Sequence, residues 1–290
     1  MRADLLCLGA DLTASVITDA VRRALAEDLG DNGDITSVAT IPGGKQAKAK
    51  LVVRQPGVIA GLVCAAETFS QLDPKISFHA KARDGANAVA RDVLVELEGA
   101  AISVLSGERV ALNFVGHFSG IATLTAAYVA KVAHTKAKIL DTRKTTPGLR
   151  ALEKYAVHCG GGVNHRMGLY DAVLVKDNHI SVAGGISAAL KAARAAVGRS
   201  IKVEIEVDNL DQLGEVLKTG GADIIMLDNM DTATMKRAVE MVGGKAVLEA
   251  SGGVTLETVA KIAETGVDVI SIGALTHSAP SLDVALDIEM

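Results

Sequence analysis

Six cations crowd one stretch of this chain. Residues 141–180, DTRKTTPGLRALEKYAVHCGGGVNHRMGLYDAVLVKDNHI, carry Arg143, Lys144, Arg150, Lys154, Arg166 and Lys176 against four acids, Asp141, Glu153, Asp171 and Asp177. The whole 290-residue chain has a formal net charge of -4, so this excess is local. Short apolar runs at 137–140 and 172–175 flank the stretch and read as buried strands. Thr146-Pro147 reads as an N-cap followed by a first-turn proline, with a helix over 148–158 that Gly160-Gly161-Gly162 stops. Arg143 and Lys144 then follow one strand end and Lys176 another, with His165 and Arg166 in the segment between. Where parallel strands end at a common mouth, such cations converge and call for a polyanionic ligand.

The elements that must position them fall into two halves. Helical spacing marks residues 15–29, and Asp31-Asn32-Gly33-Asp34 is a turn. Short strands follow at 47–54, 57–61, 75–82 and 92–98, with one helix at 62–72 between them. Two of these strands alternate, so one sheet face is solvated or covered by a partner. Residues 106–118 open a long helical stretch, and a further helix runs from Ser119 to about His134. From there the rhythm is strand and helix, with strands at 138–140, 172–175, 202–207, 224–227, 246–249 and 267–272. Glycines end the intervening helices. Six strands alternating with helices imply a parallel sheet covered on both faces. An α/β barrel is the first expectation and a doubly wound open sheet the second, since no GxGxxG follows the first strand.

Each of these six strands ends in polar chemistry. Asp141-Thr142-Arg143-Lys144 follows the first and Lys176-Asp177-Asn178-His179 the second. Glu204 and Glu206 lie two apart in the third, on one strand face. Asp228-Asn229 ends the fourth, Glu249-Ala250-Ser251-Gly252-Gly253 the fifth and Gly273-Ala274-Leu275-Thr276-His277-Ser278 the sixth. Any one alone is an ordinary surface loop; six at one mouth are a site. Ser251-Gly252-Gly253 and Gly273-Ala274 sit where backbone N–H groups can meet a phosphate. Glu206 and Asp228 are oxygen donors suited to Mg²⁺ or to a cationic transition state. His158, Cys159, His165 and His179 lack the tight spacing of a zinc site. Gly243-Gly244-Lys245-Ala246 lacks the pattern of a Walker A loop.

Composition bounds the rest. With 49% hydrophobic residues the chain can bury a large core, and with 2% aromatics and no Trp that core must be aliphatic. A pI near 6 excludes a global basic field and so argues against nucleic acid. Cys7, Cys64 and Cys159 form no CxxC pair, which fits a reduced, cytoplasmic protein. Residues 1–12 hold acids and no long apolar core, unlike a signal peptide. No run of about 18 apolar residues is uninterrupted, so no membrane span is expected.

The motifs resemble one family, nicotinate-nucleotide pyrophosphorylase (carboxylating), also called quinolinate phosphoribosyltransferase. The likeness is carried in order along the chain. It comprises Gly33-Asp34-Ile35-Thr36-Ser37, Ser119-Gly120-Ile121-Ala122-Thr123, Asp141-Thr142-Arg143-Lys144-Thr145-Thr146-Pro147-Gly148, Gly160-Gly161-Gly162-Val163-Asn164-His165-Arg166 and Lys176-Asp177-Asn178-His179. Leu227-Asp228-Asn229, Ser251-Gly252-Gly253 and Gly273-Ala274-Leu275-Thr276-His277-Ser278 complete it. A paralogue associated with molybdenum transport shares the fold, but the intact Thr-Arg-Lys-Thr-Thr-Pro-Gly and Asn-His-Arg motifs favour the quinolinate enzyme.

The resemblance implies an incomplete α/β barrel, residues 119–277, with an N-terminal α+β sandwich domain, residues 1–118, which the segment 278–290 rejoins. It implies that quinolinate and phosphoribosyl pyrophosphate, with Mg²⁺, give nicotinate mononucleotide, pyrophosphate and CO₂ in de novo NAD biosynthesis. Arg143, His165 and Arg166 would clamp the two quinolinate carboxylates, with Thr142 beside them. Lys144 and Lys176 would reach carboxylate and pyrophosphate. Glu206 and Asp228 would face the ribose and its metal, with Glu204 as the alternative acid on that strand. Ser251, Gly252, Gly253, Gly273, Ala274 and His277 would hold the 5-phosphate. Arg109 would enter the neighbouring subunit's site in a homodimer, or in a hexamer built of such dimers. A Schiff-base aldolase using Lys176 and a non-catalytic phosphate sensor are the rival readings.

Overall fold

The computed structural model describes residues 2–7 and 12–289, so part of the 1–12 segment lies outside the described residues. In chain order the elements begin with α1 (Ala14–Leu29), α2 (Ile35–Thr40), β1 (Gln46–Val53), β2 (Gly57–Val58) and α3 (Leu62–Leu72). Then come β3 (Ser77–Ala80), β4 (Asn87–Ala88), β5 (Val93–Ala100), α4 (Ala101–Val132), β6 (Lys138–Leu140) and α5 (Arg150–Cys159). The second half holds β7 (Val173–Val175), α6 (Asp177–Ala183), α7 (Ile186–Val197), β8 (Val203–Val207), α8 (Leu210–Thr219) and β9 (Ile224–Asp228). It ends with α9 (Thr232–Val242), β10 (Val247–Ser251), α10 (Val259–Ala263), β11 (Val269–Ser271), α11 (Ala274–His277) and β12 (Val284–Glu289). Contacts divide the chain into two compact units: Met1–Ala126 with Thr145–Gly161 and Ala274–Met290, and Ala127–Lys144 with Gly162–Gly273.

The first unit is built on an antiparallel sheet in the order β12-β1-β5-β3. In β1 the residues Ala49, Leu51 and Val53 are buried while Lys48 and Lys50 turn to the other face. Lys48 pairs there with Glu98, Lys50 with Glu289 and Lys81 with Glu96. Such exposed pairs add at most about 1 kcal/mol each, so the apolar face carries the stability. Asp34 caps α2 by accepting the Ser37 N–H at 2.9 Å, and its other oxygen accepts the Ser106 hydroxyl.

A single helix replaces the two expected between 106 and 134. Ser119 is no helix start: it is fully buried inside α4, and its Oγ accepts the Ala60 N–H at 2.9 Å and donates to the Ala60 carbonyl at 3.1 Å. One turn on, Thr123 Oγ1 accepts the Val58 N–H at 2.9 Å. The two hydroxyls thus satisfy backbone groups of the β2 strand and the residues after it, as a neighbouring strand would. By length and hydropathy alone α4 could cross a bilayer, but 67% of its most apolar window is buried inside the protein, as in a core helix.

The second unit is the parallel sheet, in the order β6-β11-β10-β9-β8-β7. Strands β7 to β11 lie side by side in chain order, β6 joins beyond β11, and β6 and β7 form the two edges, which gives the incomplete α/β barrel. Val163 adds a parallel bridge to Leu140 beside β6. Strand parity sorts the side chains. Val203, Ile205 and Val207 of β8, Ile225 and Leu227 of β9, and Leu248 and Ala250 of β10 are all 3% exposed or less. The other parity holds Glu204, Glu206, Met226, Asp228, Glu249 and Ser251. Because all six strands run the same way, their C-terminal ends share one edge of the sheet.

Candidate active site

Asp141, just beyond β6, is fully buried and organises the segment that follows α5. Its Oδ2 accepts the Asn164 side-chain amide at 2.6 Å and its Oδ1 accepts the His165 N–H at 2.9 Å. Arg166 comes next and donates from Nη1 to the Ala172 carbonyl at 3.0 Å. Burial and then the neighbouring Arg143 guanidinium press the Arg166 pKa down from its ordinary value. The two guanidiniums lie close enough to repel each other, and a dicarboxylate ligand would relieve that repulsion. On the same edge, the Thr142 hydroxyl accepts the Lys144 N–H at 3.0 Å, and Lys144 itself is exposed.

Lys176 follows β7 and Glu206 lies near the end of the adjacent strand β8. Lys176 Nζ donates to Glu206 Oε2 at 2.5 Å. Asp228 ends β9, where its Oδ2 accepts the Asn229 side-chain amide at 2.6 Å. Ser251 ends β10 and pairs in register with Asp228. Beyond it Gly252 has a φ of +92°, and a Cβ there would stand 2.1 Å from Asn229 Oδ1. Only glycine lets these two loops approach so closely. Gly253 lies exposed beside it, and Gly273 follows β11.

His165 turns one ring nitrogen toward two buried acids. Its Nε2 lies 3.1 Å from Glu204 Oε2 and 3.5 Å from Glu249 Oε2, and its Nδ1 accepts the Arg166 N–H at 2.7 Å. Burial opposes charge on the ring, whereas the two glutamates favour a proton at Nε2. The Arg166 N–H works against a second proton at Nδ1. That contact is direct and fixed by backbone, so we assign the Nε2–H tautomer, with the acids' field expressed as a strong Nε2–H···carboxylate bond. Burial raises the Glu204 pKa from its ordinary value.

The sequence reading named Glu204 as an alternative and gave Glu249 and Asp141 no role. For Glu204 and Glu249 the signal was parity, since each lies on the strand face opposite the apolar one; Asp141 shares the parity of buried Ile139 and carried no such signal. Among the described residues His165, Glu204 and Glu249 also form a cluster whose ligand-type atoms lie within 4.8 Å of one another. His158, Cys159 and His179 are not part of it.

The remaining expected residues belong to the first unit. Arg109 and Asn113 are exposed on α4, and His117 on the same stripe meets Glu153 Oε1 at 2.9 Å. Glu153 is fully buried, and its Oε2 accepts the Thr146 N–H at 3.0 Å, which pins the Thr145-Thr146 turn. The helix begins at Arg150 rather than Pro147, because Gly148 adopts a φ of +81° and breaks the helical path. Ala274 and His277 lie in the short α11, with His277 Nδ1 2.7 Å from the Ser278 hydroxyl.

Comparison with known proteins covers nearly the whole chain. The model of the quinolinate phosphoribosyl transferase N-terminal domain matches residues 34–119, and that of the C-terminal domain matches residues 121–287. A nicotinate-nucleotide pyrophosphorylase (carboxylating) of Mycobacterium leprae (strain TN) is 46% identical over 277 residues, spanning 93% of this chain and 96% of its own. A probable enzyme of the same description from Bacillus subtilis (strain 168) is 44% identical over 264 residues, 91% of this chain and 90% of its own. The solved nicotinate-nucleotide pyrophosphorylase of Francisella tularensis superposes with a TM-score of 0.92 at 40% identity, covering 96% of this chain and 98% of that one.

Proposed function

Because the chain belongs to the quinolinate phosphoribosyl transferase family, we propose that it joins quinolinate to phosphoribosyl pyrophosphate. The products are nicotinate mononucleotide, pyrophosphate and CO₂, a step of de novo NAD biosynthesis. The observation that carries the reading is the Lys176–Glu206 ion pair, on the same sheet edge as the neighbouring guanidiniums of Arg143 and Arg166. Cations there suit a dicarboxylate and a polyphosphate, and an acid among them suits a sugar carbon that turns cationic.

In the reaction the quinolinate ring nitrogen forms a bond to C1 of the ribose as the C1–O bond to pyrophosphate breaks. Arg143 and Arg166 hold the two carboxylates, and planar forks fix the ring's orientation as well as its charge. Lys144 and Lys176 neutralise carboxylate and departing pyrophosphate. Glu206 and Asp228 face the ribose, where their negative charge steadies oxocarbenium character. The bond from the ring to the carboxylate next to the quaternary nitrogen then breaks to release CO₂; its electron pair stays on that ring carbon, stabilised by the adjacent positive nitrogen, and takes up a proton from water. Ser251, Gly252 and Gly253 offer backbone to the 5-phosphate.

Two strand-end carboxylates, Glu206 and Asp228, form an all-oxygen donor set, which fits Mg²⁺ held jointly with substrate phosphates. When bound, the ion would neutralise charge on the pyrophosphate. A Schiff-base lysine needs an apolar pocket, whereas Lys176 stands beside the carboxylate of Glu206. Arg109 completes the partner subunit's site in a homodimer.

The test is an incubation of purified protein with quinolinate, phosphoribosyl pyrophosphate and Mg²⁺. Release of CO₂ and pyrophosphate in equal amounts supports the reading. Pyrophosphate without CO₂, or neither, overturns it.

A further inference from the structure

A buried acid pair behind Arg166 has no part in the chemistry above. Glu204 on β8 and Glu249 on β10 are 2% and 1% exposed, and both approach the same imidazole nitrogen, Nε2 of His165. The ring's other nitrogen accepts the Arg166 N–H at 2.7 Å, and the Arg166 guanidinium is tied to the Ala172 carbonyl. One connected path therefore runs from two strands, through one ring, to the backbone of a cation that reads substrate.

This arrangement is costly for a barrel interior. Oε1 of Glu204 and Oε1 of Glu249 are both buried without a hydrogen-bond partner. An apolar side chain at either place would avoid that penalty, as Met226 does on the strand between them. The two acids therefore require a reason other than stability.

We propose that Glu204 and Glu249 are positioning residues for the dicarboxylate, acting through His165 on Arg166. The proposal rests on the quinolinate reading given above. Two acceptors around Nε2–H fix both the tilt and the tautomer of the ring, which leaves Nδ1 as an acceptor for the Arg166 N–H. Without the acids the ring can turn, the N–H loses its acceptor, and the guanidinium loses its fixed starting point. Carboxylate reading then weakens, whereas recognition of the phosphoribosyl group at the Asp228 and Ser251 loops does not. The same three side chains could instead ligate a divalent metal, and the experiment separates the two.

Glu204→Leu and Glu249→Leu should raise KM for quinolinate at least about tenfold while KM for phosphoribosyl pyrophosphate stays within about twofold. Glu204→Gln and Glu249→Gln keep an oxygen acceptor for Nε2–H and should recover most of the loss. In the wild-type protein, ¹⁵N spectra of His165 should show a protonated Nε2 and an accepting Nδ1, unchanged when quinolinate is added. That measurement stands even where a Leu variant does not fold. Equal rises in both KM values, an unchanged KM for quinolinate in a folded Leu variant, or a protonated Nδ1 overturns the proposal. So does stoichiometric transition metal in the purified wild type. A wild type that does not turn over quinolinate sinks the functional reading instead, and the spectrum still reports on the ring.

Discussion

Lys176 and Glu206 meet at 2.5 Å across the ends of the adjacent parallel strands β7 and β8. The lysine side chain is 45% exposed and the glutamate 13%, so the pair spans from open surface into the barrel. With its lysine end open to solvent the pair adds little stability, which leaves its chemistry as the reason for it.

Lys176→Ala should therefore separate activity from folding. Turnover of quinolinate is expected to fall by roughly two orders of magnitude or more, the scale of losing a charge made for a transition state. The melting temperature should move by no more than a few degrees, because Val175, not Lys176, is the buried neighbour. A folded variant that keeps its activity would reduce Lys176 to a surface cation.

Asp84 supplies a pH-dependent term in the first unit. Its Oδ1 accepts the Leu62 N–H at 2.9 Å, and its Oδ2 accepts the Tyr155 hydroxyl at 2.8 Å. Burial pushes its pKa up to about 6 from 3.8, against those hydrogen bonds. Below about pH 4 both folded and unfolded chains hold the proton and no penalty arises. As pH climbs towards 6 the unfolded chain releases it first, so stability falls, by about 3 kcal/mol once the window is crossed. Asp84→Asn removes the titration. Relative to wild type, its melting temperature should gain roughly 5 °C or more between pH 4 and pH 7. A gap that stays constant across that range rules out the ionisation.

The proposal that subunits share sites is tested at Arg109, which is exposed on α4. Arg109→Ala and Lys176→Ala proteins should each be nearly inactive. After subunit exchange a mixture should recover up to about a quarter of wild-type activity, since random pairing leaves one site in four intact. No recovery despite proven exchange would assign Arg109 to its own subunit or to no site.

Much of this molecule could be read before the structure was seen. Every barrel strand is where glycine-stopped helices and apolar runs put it, and the strand-end cations and acids fall on one sheet edge. Ser119 was misread because a serine before apolar residues looks like a cap. What overrides that signal is tertiary, a hydroxyl taking up the Ala60 backbone inside α4. The start of α5 was misplaced because a left-handed glycine outweighs the Thr-Pro signal. The alternation Val203-Glu204-Ile205-Glu206-Val207 would ordinarily mean acids in water. Here helices cover the apolar parity, so the acids face the barrel interior, and that reversal depends on closure no local pattern reports. The meeting of His165 with Glu204 and Glu249 joins residues distant in sequence, and so it emerged only from the fold.

The central claim is that Arg143 and Arg166 read two carboxylates, and substrate choice tests it most directly. A site built to bind a group rejects analogues lacking it by about 10⁴-fold or more. Measured side by side, kcat/KM for nicotinate, which has one carboxylate, should fall below that for quinolinate by about that factor. Values for the two substrates within about tenfold of each other would contradict the account, because a gap that small is what a lost methylene costs.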